Sequence, residues 1–394
     1  YFVQTSIANQ VNLVNTTGLT MRFWDGVNGA KNDGAITGGD GLWQASGGND
    51  NWTEYDGSAN APFTDDAFAV FSGVGGTVSI DASLGAVSAS GMQFASDGYV
   101  IAGDDIALVA PQSVIRVGDG SIGGAGYTAT IASNLTGIGD LIKSDLGTLV
   151  LTGANSFAGE TNVRGGELRL ANGGTLTNAD GVIGRESGEQ GIVTVVGADN
   201  GGNASTWTST GYLRVGGLGT GTLNILDGGK VHADDIVYVG DDISGQGTVN
   251  VSGQDANGNA STWTGARDIS IGEFGTGALN ITAGGQVGNE SGFIGSNTGA
   301  AGIVTVSGVG TNGVASTWTN NADLIVAYSG SGTLNIADGG RVFSATGTVG
   351  LDTDGVGLVS VTGAGSSWEN SGRISVGGFG TGTLRIEDGA AVSS

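Results

Sequence analysis

Four near-copies of one segment constrain this chain more than any other feature. They read VGGLGTGTLNI from Val215, IGEFGTGALNI from Ile271, VAYSGSGTLNI from Val326 and VGGFGTGTLRI from Val376. A tryptophan precedes each copy, at Trp207, Trp263, Trp318 and Trp368, the first three inside an identical STWT. Further upstream, IVTV, TVNV, IVTV and LVSV end at Val195, Val251, Val306 and Val361, in steps of 56, 55 and 55 residues. Each unit is itself double. The glycine that opens each apolar strand recurs at Gly191, Gly221, Gly247, Gly277, Gly302, Gly332, Gly357 and Gly382, in steps of 25 to 30 residues.

Such a half-unit holds two or three short strands and cannot cover its own apolar side. Alternation puts Leu223 and Ile225 on one face and Thr222 and Asn224 on the other. Stacked copies cover one another, so the period predicts a solenoid with one coil per half-unit. The expected fold is all-β, a right-handed parallel β-helix, because parallel crossovers are overwhelmingly right-handed. Coiled throughout, the chain would make about 14 to 16 coils in a rod ~70 Å long. G-x-G and D-G-G clusters supply positive φ at the corners. Matched polar positions, such as Asn224, Asn280 and Asn335, predict ladders along the stack. No stretch shows a capped 3.6-residue period that would argue for helix.

The repeats blur toward the amino terminus, which suggests three parts. Residues 1–74 form an aromatic-rich beginning or cap, with Trp24, Trp43 and Trp52 among its rings. Residues 75–180 form irregular coils. Residues 181–394 hold the four two-coil repeats, the last stopping inside a coil at DGAAVSS, as in a fragment of a longer chain.

Composition fits a stack of ladders. The chain has 80 Gly but only two Pro, Pro62 and Pro111, and proline cannot donate to a ladder. With 13 basic and 37 acidic residues the net charge is −24. That surface repels phosphate backbones and anionic membranes, which argues against nucleic-acid binding. There is no Cys, hence no disulfide staple or thiol chemistry.

Catalytic signals are weak. His232 is the only histidine, and no G-x-S-x-G elbow accompanies it. The adjacent pairs Asp65–Asp66, Asp104–Asp105, Asp234–Asp235 and Asp241–Asp242 are candidates for a polysaccharide lyase or hydrolase. Neighbours on a strand point to opposite faces, so a pair alone is no site. No EF-hand, nonapeptide calcium repeat or phosphate loop is present. We therefore single out no catalytic or metal-binding residue, no cofactor and no enzymatic activity. The tryptophan row, Trp207, Trp263, Trp318 and Trp368, has two readings. Each indole packs over a loop of its own coil, or an exposed row stacks on the sugars of a long glycan. Placed on every second coil, the rings would stand about 10 Å apart. Solvent access decides between the two.

One stretch carries a resemblance. GIGDLIKSDLGTLVLTGANSFAGETNVRGGELRLANGG, residues 137–174, resembles the passenger-associated strand repeat of autotransporters. The matching positions are Leu141, Lys143, Gly147, Leu149, Leu151, Gly153, Asn155, Phe157, Gly159, Thr161, Val163, Gly166 and Leu168. Asp145 stands where the pattern has glycine. The aromatic segment 23–73 and the tryptophan-bearing repeats also look like autotransporter passenger sequence. The resemblance implies a β-helix displayed at, or released from, the surface of a Gram-negative bacterium. It also implies export by a carboxyl-terminal membrane barrel that is absent from this chain. Many such passengers are adhesins. The implied partners are a host-cell or neighbouring-cell surface, a matrix protein, a glycan or a second copy. The alternatives are a polysaccharide-active β-helix enzyme and an inert stalk that presents a functional segment located elsewhere.

Overall fold

The computed structural model describes residues 19–394, together with the backbone of an antiparallel pair of strands, Phe2–Gln4 and Asn12–Val14. The chain divides into two compact units, Tyr1–Arg169 with Gly174–Asn178, and Leu170–Gly173 with Ala179–Ser394. Each is a parallel β-helix of stacked three-sided coils. Among the described residues the only helical segments are two 3-10 turns, Ala82–Leu84 and Ile122–Gly126. None is long and apolar enough to cross a membrane. Both prolines lie outside strands.

The second unit contains eight coils. In the first of them the strands are Gly181–Ile183 (sheet 1), Gln190–Val196 (sheet 2) and Thr206–Ser209 (sheet 3). Each later coil adds one parallel strand to each sheet in unbroken register. In sheet 2 the repeated glycines stack in one column, from Gly191 to Gly382. Their conservation of type across the repeats has a steric cause. A Cβ on Gly247 would meet Val215 O at 2.2 Å, and one on Gly302 would meet Ile271 O at 2.1 Å. Only glycine lets sheet 2 turn this closely against sheet 1.

The two-coil period is a packing period. Inward positions of sheet 2 alternate between Val193, Val249, Val304 and Val359 and the larger Leu223, Leu279 and Leu334, all fully buried. Sheet 3 alternates the opposite way. Trp207, Trp263, Trp318 and Trp368 belong to the valine coils, and Val231, Val287 and Val342 belong to the leucine coils. Each coil therefore pairs large with small, so that the side-chain volume filling successive coils stays balanced. The corners alternate too. Leucine coils turn from sheet 2 to sheet 3 through two left-handed residues, such as Asp227 (φ 50°) and Gly228 (φ 91°). The first three valine coils cross by longer loops closed by bridges at Ala198–Ala204, Gln254–Ala260 and Val309–Ala315.

The expected polar ladder forms over part of sheet 2. Asn250 Nδ2 donates to Asn224 Oδ1 at 2.8 Å, and Asn280 Nδ2 to Asn250 Oδ1 at 2.9 Å. It stops before Asn335 because Thr305 occupies the intervening coil.

In the first unit, the strand Met21–Trp24 pairs with Phe68–Phe71, and four further strands extend that sheet to Thr161–Val163. Trp24, Trp43, Trp52, Phe63 and Phe71 form a buried cluster with ring centroids 4.6–6.2 Å apart, mostly edge-on or tilted. These aromatic contacts fill the interior where the regular Val/Leu alternation is missing. The repeat-like stretch makes coils of about 20 residues, with Leu141 opposite Thr161. Its motif residues serve as internal ties. Asn155 is buried, accepts from Leu135 N at 3.1 Å and donates to Gly153 O and Thr175 O at 2.8 and 2.9 Å. Lys143 is fully buried and donates to the carbonyls of Ser144, Asp145 and Gly165 at 3.1, 3.0 and 2.9 Å. Asp145 has φ +68°, which explains the glycine of the family pattern. The aspartate offsets that strain by pairing with Arg116 at 3.0 Å and accepting from Gly120 N.

Candidate functional site

The tryptophan row is the first candidate to examine, and burial overturns its reading as a ligand platform. Trp207, Trp263, Trp318 and Trp368 are each 0% exposed. They point inward from sheet 3, so no ring face is open to a sugar. The reason is volume. In three of the four units a glycine of sheet 1 makes room for the indole: a Cβ on Gly181, Gly292 or Gly347 would lie 2.4–2.7 Å from the ring of Trp207, Trp318 or Trp368. Trp318 Nε1 donates to Asn289 Oδ1 at 2.7 Å, and Trp368 Nε1 to Ser344 Oγ at 3.1 Å. Trp263 differs. The positions matching Asn289 and Gly292 one repeat earlier are Ala233 and Val237, and Trp263 Nε1 has no hydrogen-bond partner among the described residues. The valine refills what the smaller neighbour leaves, at the cost of an orphaned donor.

The other sequence candidates separate in space. His232 lies on the outer face of sheet 3, with Nδ1 2.8 Å from Thr264 Oγ1 and Nε2 2.8 Å from Asp234 Oδ1. The paired aspartates are engaged with different partners. Asp65 binds Ser46 and Asp66 binds Ser88; Asp104 accepts from Ala82 N and Asp105 from Asn134. Asp235 faces Arg267, and Asp241 faces Arg214. Among the described residues no group of three or more His, Asp or Glu side chains is arranged to hold a metal ion.

A different feature stands out in the second unit: a groove of about 260 Å³ on the outer face of sheet 1. The three-residue strands there bury their first and third residues and turn the middle one outward, although Ser270 stays buried on the groove floor. Those outward residues in successive coils are Arg214, Tyr238, Ser270 and Phe293. Tyr238 and Phe293 are half-buried, and Tyr328, from the corner after the next strand, is 42% exposed. Ile236, Asp268, Glu273, Ser296 and Asn297 complete the lining.

The polar floor is tied down. Ser270 Oγ donates to Glu273 Oε2 and lies 2.7 Å from Ser296 Oγ, while Asn297 Nδ2 donates to Glu273 Oε1 at 3.2 Å. Beside the groove Arg214 pairs with Asp241 at 3.0 Å, and its guanidinium lies 4.7 Å from the Tyr212 ring centre and 5.8 Å from that of Tyr238. Burial pushes the Tyr238 phenol upward, the carboxylates of Glu273 and Asp241 add to this, and Arg214 opposes it. The phenol thus remains a proton donor at neutral pH. Burial also raises Asp241, against the pull of Arg214. The lining offers aromatic faces, fixed hydroxyl and amide groups and two carboxylates, with no cation among them. Such a lining is chemically suited to a positively charged group lodged against aromatic rings.

The groove escaped the sequence reading because its lining comes from four coils, between Ile236 and Tyr328. A weak signal exists. In the aligned segments LRV, VYV, ISI and GFI the outer letters stay apolar or small while the middle one varies.

Comparison with known proteins supports the family reading. Residues 141–170 match the passenger-associated-transport-repeat family. The chain is 46% identical over 279 residues to an adhesin autotransporter, BmaC, of Brucella suis biovar 1 (strain 1330), covering 64% of this chain and 8% of that protein. It is 31% identical over 183 residues to an uncharacterized lipoprotein, YdeK, of Escherichia coli (strain K12), covering 46% of this chain and 13% of that one. The chain thus spans about a tenth of the length of these curated relatives. No solved structure matches it. The matched repeat is seated in a parallel β-helix, and the chain is similar over most of its length to part of an adhesin autotransporter.

Proposed function

We propose that this segment is an adhesive module that holds a host-cell or neighbouring-cell surface through the groove of sheet 1, and that its ligand there is a basic segment of a surface or matrix protein. The observation that carries the reading is the groove itself. Tyr238, Phe293 and Tyr328 surround Asp268 and Glu273, with no cation among the lining residues. A lysine or arginine side chain entering it gains both ion pairing and ring contact. The similarity to an adhesin autotransporter supports the same reading. The groove has its floor prearranged by the Ser270–Glu273–Asn297 bonds, which lowers the ordering cost of binding.

The test is binding of the chain to immobilised matrix proteins and to cultured cells. Asp268→Asn with Tyr238→Ala should weaken binding by about tenfold or more, equivalent to ~1.4 kcal/mol. Binding should also weaken as salt is raised. Retention of full binding by the double variant, or a response equal to that of a Thr264→Ala control on sheet 3, would overturn the reading.

A further inference from the structure

Sheet 2 of the second unit presents a face unlike the rest of the chain. Each of its strands has seven residues with four side chains turned outward. Across seven consecutive strands, from Gln190–Val196 to Val356–Thr362, none of those outward residues is charged. The first charges, Arg385 and Glu387, appear on the eighth strand. The other two sheets of the same coils are not neutral: sheet 1 carries Arg214, and sheet 3 carries Lys230, Arg341 and Glu369. In a chain with 37 acidic and 13 basic residues, so wide a neutral area marks a surface with its own task.

Its chemistry is uncharged throughout. Hydroxyls and amides, such as Thr222, Asn224, Thr248 and Asn250, are interspersed with aliphatic side chains such as Ile192, Ile303 and Leu358. The polar groups are locked to one another along the stack. Besides the asparagine ladder, Thr282 Oγ1 donates to Ser252 Oγ at 2.9 Å. Seven strands in register give a prearranged strip about 30 Å long.

We infer that this face is a docking surface for a neutral polysaccharide laid across the strands. Charge selects the occupant. A cationic polymer finds no carboxylate on the strip, and an acidic one meets the net charge of −24. A second copy of the chain brings the same −24 with it. A neutral glycan carries neither penalty. Its hydroxyls match the Thr and Asn groups, and its C–H faces match the methyls. The strip lies on a different sheet from the groove and takes a different ligand, so the two readings stand or fall separately.

The experiment is co-sedimentation of the chain with insoluble cellulose, chitin and β-1,3-glucan. Two single variants, Thr222→Glu and Thr333→Glu, serve as tests, with folding checked by circular dichroism. The expected result is retention on at least one polymer that persists into molar salt. Either glutamate should cut the bound fraction by about tenfold, while Tyr328→Ala in the groove leaves it unchanged. The inference is overturned by no retention on any of the three polymers. It is also overturned by retention that salt abolishes, by glutamate variants that bind as well as the parent, or by glutamate-sensitive sedimentation without polymer, which would make the occupant a second copy.

Discussion

Lys143 shows how a single residue of the family motif acts in the fold. Its ammonium is buried and uses its three protons on three carbonyl oxygens of the turns around it. Burial lowers its pKa from 10.5 to about 7, against the opposing charges of Asp145 and Glu167. The folded state therefore binds fewer protons than the unfolded chain between pH 7 and the unfolded value. Stability from this group must rise with pH across that window, because the ammonium's desolvation cost is relieved. Thermal melts of the parent and of Lys143→Met should diverge accordingly. The parent should gain melting temperature relative to the variant from neutral to alkaline pH, and parallel curves would refute it. The motif was readable in the sequence, but this role was not. Nothing in the letters says that a lysine points inward, since that depends on carbonyls supplied by Asp145 and by Gly165 in the next turn.

At the scale of one coil, the alternation of Val with Leu in sheet 2 and of Trp with Val in sheet 3 is a volume rule. It makes a specific prediction about coupling. Val304→Leu places extra volume in a coil that already holds Trp318 and should cost about 1–3 kcal/mol. Trp318→Val empties the same coil and should cost about 3–5 kcal/mol. The double variant converts a tryptophan coil into a leucine coil, so its cost should fall well below the sum of the two. Chemical denaturation of the four proteins measures the difference, and simple additivity would count against the rule. The strands, corners and two-coil period were legible in advance because alternation and glycine spacing encode them directly. The direction of the tryptophans was not. A tryptophan flanked by threonines on a short strand reads equally well from either face until the glycine opposite it, such as Gly292 or Gly347, is known to leave a space.

Across the whole chain the dominant fact is an excess of carboxylates, which gives the net charge of −24. Like charges are brought closer when the chain folds, and this self-repulsion opposes the compact state. Added salt screens it. The melting temperature of the chain should therefore rise from low to physiological ionic strength, as calorimetry would measure. A flat or falling trend would show that specific ion pairs, such as Arg116–Asp145, outweigh the repulsion. The same excess gives meaning to the neutral strip on sheet 2.

By itself the sequence determined the architecture: a repeated segment too small to bury its own apolar side has no stable form except a stack, and glycine and alternation place its corners and faces. Its passenger motif made the resemblance to autotransporter passengers legible in the same way, since that motif is a list of close approaches and inward ties. What only the tertiary structure decided is which side chains from different coils become neighbours. The groove of Tyr238, Glu273, Phe293 and Tyr328, and the burial of all four repeat tryptophans, depend on register between strands far apart in the chain. Spacing along one dimension sets the period and register of the coils, but not which loop and corner side chains pack together where the coils meet.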